Sequence, residues 1–205
     1  MNYLSLLGWN PDSEKEIFDQ NELINSFQFK QVQKKSAVFD EKKLLWISQQ
    51  HLSEMSVRDL MNEIYALNPE WGDGLEWEYL KEVVKLIKDR SKTITEIASM
   101  SEIFFTDKLD YDSDLLSKTY NDKSIAIIKD FQSALTSIED WSRVEIEKIF
   151  EDIMEQHEVA IGQVMKPVRV AISGIPFGPG IFDLILLLGK EICQIRLRHA
   201  LSVIQ

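Results

Sequence analysis

The 205 residues carry 34 acids against 23 lysines and arginines, a formal net charge of −11, with 44% apolar and 28% charged residues. That apolar fraction suffices for a buried core and excludes a disordered chain. The lone Cys193 excludes an internal disulfide framework, and fits a reducing cytosol. Its neighbours Ile192 and Ile195 mark it as a packing residue rather than a reactive thiol.

From the N-terminus, Tyr3-Leu4-Ser5-Leu6-Leu7-Gly8 reads as the end of an apolar helix with Gly8 as a left-handed cap. A helix this short is marginal alone, so a preceding segment is expected to be missing. Asp40 is placed to cap a helix through Leu44, Leu45, Ile47 and Gln50, and Ser56 another through Leu60, Ile64 and Tyr65. Helices follow on Tyr79, Val83, Leu86 and Ile87, and on Ile125, Ile128, Phe131 and Leu135. Trp141, Val144, Ile149, Phe150, Ile153 and Met154 form a further stripe, with Ser142 to Glu145 at capping-box spacing. Breakers fall at Trp9-Asn10-Pro11-Asp12, at 68–74, at 107–114 and at 173–180, the third being the best interior boundary. Period-two alternation is not sustained anywhere, so the fold class is all-α.

The most apolar stretch, Ile181 to Leu188, covers about two helical turns and contains Asp183. A bilayer span needs roughly 20 residues, so this is core. No secretory signal opens the chain, and a cytoplasmic location is expected.

Two basic islands interrupt the acidity. Lys81, Lys85, Lys88, Arg90 and Lys92 outnumber Glu82 and Asp89, and Lys166, Arg169, Lys190, Arg196 and Arg198 outnumber Asp183 and Glu191. Nucleic-acid binders usually carry net positive charge, so local islands on an acidic body suit selective contact better than general adhesion. On the final helix, Lys190, Arg196, Arg198 and His199 read as a solvated face. The acidic segment Glu139 to Glu158 allows an alternative, a helical module that docks a protein and has no RNA role.

In 166–174, Pro167 takes a helix-start position, Arg169 the first turn and Gly174 a cap. Gly178-Pro179-Gly180 then leads into a helix from Ile181, whose first backbone N–H groups would face a base edge or phosphate. The glycines serve equally well in a tight helix–helix corner. Arg90 suits a splayed base edge, or the complementing of a helix C-terminus. The P-loop order is missing, His51, His157 and His199 lack zinc-site spacing, and no nucleophile elbow is present. Neither a metal site nor an active site is expected.

Three separated motifs carry a resemblance. Tyr3-Leu4 with Leu6 to Trp9, then Lys35 to Asp40 with Lys43-Leu44 and Trp46-Ile47, resemble the segment after the catalytic half of bacterial glutamyl-tRNA synthetases, class I glutamate–tRNA ligases. Gly162 to Met165 with Pro167 to Ala171, Gly178 to Phe182, and Leu187 to Glu191 look like that family's C-terminal signature. The resemblance implies a stem-contact remnant at 1–56 and two helical anticodon-binding subdomains at 57–106 and 107–205, holding unstacked anticodon bases between them. The family's His-Ile-Gly-His-like and Lys-Met-Ser-Lys-Ser-like motifs do not occur, and Lys34-Lys35-Ser36 falls too late to be the second. The resemblance therefore implies an excised or truncated piece that does not activate glutamate. ATP and Mg belong to the parent enzyme and no cofactor to this chain. The implied partners are tRNA-Glu and the parent's own catalytic domain in cis, with a monomeric chain.

By the same resemblance, Arg169 reads the first anticodon base, Gly178, Pro179, Gly180 and Ile181 approach the middle base, and Arg90 favours cytosine at the third. Other members carry glutamine at the Arg90 position and accept a second tRNA, so Arg90 implies tRNA-Glu specificity. An arginine only donates, which suits the acceptor edge of cytosine. Gly178 stands where some members have a hydroxyl side chain, so a middle-base contact would run through backbone. Lys88, Lys166 and Lys190 are expected on phosphates.

Overall fold

The computed structural model describes every residue except Asp12, Lys35 and Gln205. Asp12 in the first breaker and Lys35 in the first motif therefore lie outside the described residues. Helices run in chain order as α1 (Asn2–Gly8), α2 (Gln20–Ser26), α3 (Glu41–Glu54), α4 (Val57–Leu67), α5 (Trp77–Ile87), α6 (Ile94–Ser101), α7 (Ser113–Thr119), α8 (Asp122–Ser137), α9 (Arg143–His157), α10 (Ile161–Ser173) and α11 (Ile181–Ile204). Among the described residues the extended pairing is one isolated bridge, Trp9 to Val32, and the fold class is all-α as expected. No described helix is long and apolar enough to cross a membrane. The chain divides into two compact units, residues 1–71 with 88–98, and residues 72–87 with 99–205.

In the first unit Trp9, Phe18 and Leu23 form a small core with Leu6 against it. The Asn2 amide ties α1 to its surroundings, accepting from the Phe18 N–H at 2.9 Å and donating to the Glu16 carbonyl at 3.0 Å. The caps are those expected: the Asp40 carboxylate accepts from Lys43 N–H at 3.1 Å and Ser56 Oγ from Asp59 N–H at 3.1 Å. Gly8 is a correction. It stays helical and α1 closes at Trp9 in extended conformation, because the chain leaves α1 straight into the Trp9–Val32 bridge and has no left-handed turn to make.

In the second unit α8, α9, α10 and α11 pack against one another. Ile127, Ile128, Phe131 and Leu135 of α8 are buried against Ile146, Phe150 and Ile153 of α9, with the Phe131 and Phe150 rings 5.0 Å apart. The expected stripe on α9 is corrected at one end. Val144 is 72% exposed whereas Ile146 is fully buried, since 146, 149, 150 and 153 share a helical face and 144 lies two residues out of phase. The polar stretch 107–114 runs inside this unit, and Asp112 within it caps α7.

Pro167 is the second correction. It sits inside α10 rather than at its start, with Arg169 mid-helix. An internal proline normally breaks a helix, but Val164, Val168, Ala171 and Ile172 are fully buried on a stripe that runs through it. Three carbonyls at the far end of α10 are partnered. The Gly174 N–H, in the left-handed conformation (φ 71°), bonds Val170 O at 2.9 Å, the Tyr111 hydroxyl donates to Ala171 O at 2.6 Å, and Arg196 Nη1 donates to Ile172 O at 2.6 Å.

Arg196 is the third correction, because it is completely buried rather than part of a solvated face. Besides Ile172 O, its Nη2 donates to the carbonyls of Ile103 and Thr106. Burial lowers its pKa from the ordinary guanidinium value, and Cys193, Tyr111 and Tyr79 oppose that shift. Helix α11 is interrupted at Gly189 (φ 79°), a conformation that needs glycine. Lys190 just beyond donates to Thr136 O at 3.2 Å and Ile138 O at 2.6 Å, which satisfies the end of α8. Cys193 packs as expected, fully buried.

Removing the Arg196 guanidinium leaves three main-chain carbonyls short of donors, at about 1–3 kcal/mol for each one left unsatisfied. Relief of guanidinium desolvation offsets part of this. Arg196→Met is expected to cost roughly 3 kcal/mol in urea unfolding, while Arg198→Met on the exposed side leaves the midpoint in place. Arg196→Lys should fall between, since an ammonium lacks the fork that spans separate carbonyls.

Burial also pushes Cys193 up from 9.0 to about 12 and Tyr111 from 10.0 to about 12. Both groups stay protonated in the folded chain after the unfolded chain has ionised, so stability is fully present below their ordinary values and is lost as pH rises toward 12. Urea midpoints should fall steeply above pH 9, and Tyr111→Phe should make the fall above pH 10 shallower.

Candidate nucleic-acid interface

The sequence-predicted residues fall in two places, one in each unit. In the second unit, α10 carries Arg169 on its last turns, and the 174–180 loop returns the chain to α11. Ser173 Oγ donates to Arg169 O at 2.8 Å. Gly178 has φ 134°, a conformation in which any side chain is strained. Half-buried Arg169 reaches across the loop, and its Nη1 donates to the Pro179 carbonyl at 2.7 Å. Pro179 is buried and Ile181 is 3% exposed, so the Gly-Pro-Gly turn is pinned at both sides. Arg169, Gly178, Pro179, Gly180 and Ile181, 12 positions apart at most, thus make one structural group.

The start of α11 has its own carboxylate. An added Cβ on Gly180 would lie 2.7 Å from Asp183 Oδ2, so this acid curls back over the first turn. Arg143 holds it, with Nη1 2.5 Å from Asp183 Oδ1 and Nε 2.8 Å from Glu147 Oε1, and with its guanidinium 5.5 Å from the Phe182 ring centre. These carboxylates, Asp183 first, raise the Arg143 pKa further. A resident carboxylate at the positive end of a helix competes with an incoming phosphate. An incoming phosphate would meet this carboxylate, already paired with Arg143, at the start of α11. Sequence reasoning passed over Arg143 as a partner of Asp183, since 40 residues separate them and no local pattern links the two.

In the first unit, Lys88 and Arg90 lie on a single 3-10 turn, Lys88–Arg90. Lys88 Nζ donates to Met55 O at 2.8 Å, at the end of α3, and Gln49 Nε2 donates to Asp89 O at 3.4 Å. This turn is anchored on α3, and from it the Arg90 guanidinium extends into solvent with no hydrogen bond or ion pair among the described residues. The basic run 81–92 is divided between the units. Lys81 and Lys85, in the second, pair with Glu78 at 3.0 Å and Glu82 at 3.4 Å.

The remaining expected phosphate ligands separate. Lys166 is exposed on α10, one turn before Arg169. Lys190 is engaged by the carbonyls of Thr136 and Ile138, and Arg196 by those of Ile172, Ile103 and Thr106. The second basic island is thus largely an internal framework. Among the described residues no group of His, Cys, Asp and Glu is arranged to hold a metal ion.

The family model described as Anticodon binding domain matches residues 29–201, and that of tRNA synthetases class I (E and Q), catalytic domain, matches residues 1–46. The glutamate–tRNA ligase of Flavobacterium johnsoniae is 32% identical over 204 residues, which cover 100% of this chain and 40% of that protein. Glutamate–tRNA ligase 2 of Thermoanaerobacter pseudethanolicus is 30% identical over 209 residues, covering 100% and 44%. The crystal structure of a glutamate tRNA ligase from Elizabethkingia meningosepticum superposes with a TM-score of 0.84 at 26% identity, covering 100% of this chain and 40% of that one. The chain thus spans about 40% of the length of these relatives. It belongs to the anticodon binding domain family, and corresponds to the anticodon-binding, C-terminal part of glutamate–tRNA ligases.

Proposed function

We propose that this chain reads the anticodon of tRNA-Glu for a glutamate–tRNA ligase whose ATP-dependent chemistry lies outside these residues. The observation that carries the reading is the 2.7 Å bond from Arg169 Nη1 to Pro179 O. It holds a planar donor fork beside a strained glycine turn, and the Asp183 carboxylate next to it disfavours phosphate. Donors in such a setting select the acceptor edge of an unstacked base. Arg90, on its anchored turn, is the donor for the third anticodon base and sets the preference for cytosine.

The residues present do not fit an ATP site. No P-loop, His-Ile-Gly-His-like or Lys-Met-Ser-Lys-Ser-like motif occurs among them. Pyrophosphate exchange with glutamate and ATP is expected to give no turnover with this chain alone; turnover would refute this part of the reading.

Removing one base-specific hydrogen-bonding side chain costs about 1–3 kcal/mol, so Arg169→Ala should weaken tRNA-Glu binding by roughly ten- to hundredfold in filter retention. Unchanged retention would remove Arg169 from the reading. Arg90→Gln should leave binding of tRNA-Glu nearly intact and narrow its advantage over a transcript with another third base. Gly178→Ala keeps Arg169 but strains the φ 134° turn. It should cost about 1 kcal/mol or more in stability and weaken the same anticodon-dependent binding.

A further inference from the structure

At the other end of α10 from the Gly-Pro-Gly turn, a cavity of about 210 Å³ opens between the first turns of α8 and α10. Thr119, Lys123, Gly162 and Lys166 line it above a floor of Ile127 and Pro167. Its electrostatics depart from those of the chain. With 34 acids on the molecule, two lysines line this cavity and no carboxylate does. Asp122 and Glu158 lie next to it in sequence, but neither is part of the lining. Unlike Lys81, Lys85, Lys88 and Lys190, the exposed Lys123 and Lys166 make no hydrogen bond or ion pair among the described residues.

Backbone groups add to the two cations. Lys123 is the second residue of α8 and Gly162 the second of α10, positions whose N–H groups have no acceptor inside their helices. At the third position of each helix a cap bond is already made: Ser124 N–H bonds the Asn121 side chain at 3.0 Å and Gln163 N–H bonds Ala160 O at 2.9 Å. The Thr119 hydroxyl oxygen is buried beside them with no partner among the described residues. Two ammonium groups, two helix starts and a hydroxyl make a set of donors aimed at a compact anion.

We infer that this cavity is a phosphate site and that it takes a phosphodiester group of the tRNA backbone. The RNA source rests on the function proposed above; the anion chemistry does not. Lys166 thereby acquires a specific partner, and Lys123 and Thr119, which no sequence motif marked, join it.

The test uses the 205-residue chain and the variant Lys123→Gln/Lys166→Gln, two exposed positions whose change leaves the fold intact by circular dichroism. In amide NMR spectra, inorganic phosphate should shift Lys123 and Gly162 saturably in the parent chain and not in the variant. Filter binding of tRNA-Glu across a salt series should show the slope of log affinity against log salt falling by about 0.7 to 1 for each phosphate that the variant no longer neutralises. The affinity loss should be the same for transcripts with altered anticodons, whereas Arg169→Ala should change anticodon dependence and keep the slope. An unchanged slope, with tRNA still bound, would overturn the inference even if free phosphate binds. Absence of phosphate shifts together with an unchanged slope would remove the anion site altogether. If the parent chain binds no tRNA, the proposed function fails and takes the RNA source with it. Saturable phosphate shifts would then still identify a site for a free anion.

Discussion

One buried cation organises the second unit. Arg196 makes no ion pair among the described residues, and Asp107 acts on it only at longer range. Three main-chain carbonyls, from Ile103, Thr106 and Ile172, receive its fork instead. An isolated buried charge is very costly, so this position holds only because a helix end supplies compensation. Ile172 is the penultimate residue of α10, where unsatisfied carbonyls carry partial negative charge. The same bonds that solvate the guanidinium also terminate the helix, and Tyr111 and Gly174 partner the neighbouring carbonyls. That termination fixes where the 174–180 loop begins, and hence where Pro179 meets Arg169. A lysine could bring the charge but not the geometry, because the three carbonyls come from separate chain segments.

Much of this was legible in sequence, to the degree that the determining interactions are local. Asp40, Ser56 and Ser142 cap helices three residues downstream, and each was visible as a cap next to an apolar period. Gly174 and the 178–180 turn were visible because glycine marks special backbone conformations, and both have positive-φ glycines. Pro167 misled for the same reason. Its local preference for a helix start is real, but buried Val164 and Val168 on either side hold the helix through it. Arg196 misled because exposure is not a property of residue type. Its acceptors lie 24, 90 and 93 positions away, so nothing near it in sequence separates it from exposed Arg198. At the candidate interface the members of the group were legible by motif, while the bond that joins Arg169 to Pro179 and the Arg143–Asp183 pair at the start of α11 were not.

The formal charge of −11 argued against RNA, and the structure shows why that number is a weak guide. Net charge counts every base alike, yet these differ in what they do. Arg196 and Lys190 terminate helices from within, Lys88 bonds a carbonyl at the end of α3, and Lys81 and Lys85 sit in exposed helical pairs worth little individually. Set aside, they leave 18 of the 23 lysines and arginines, whose placement, rather than number, decides what they touch.

Along α10 that placement sorts two kinds of contact. The cavity between its first turns and those of α8 is lined by Lys123 and Lys166 and by no carboxylate, Asp122 of α8 standing outside the lining, which suits a phosphate. Its last turns present Arg169 beside a loop where Asp183 already occupies the next helix start, which suits a neutral base edge. At 13 residues and 1.5 Å rise per residue the helix spans roughly 20 Å, with Lys166 and Arg169 about 5 Å apart along its axis. On the proposed function, selectivity in such an acidic chain rests on where the carboxylates stand, because an acid beside a helix start competes with phosphate there.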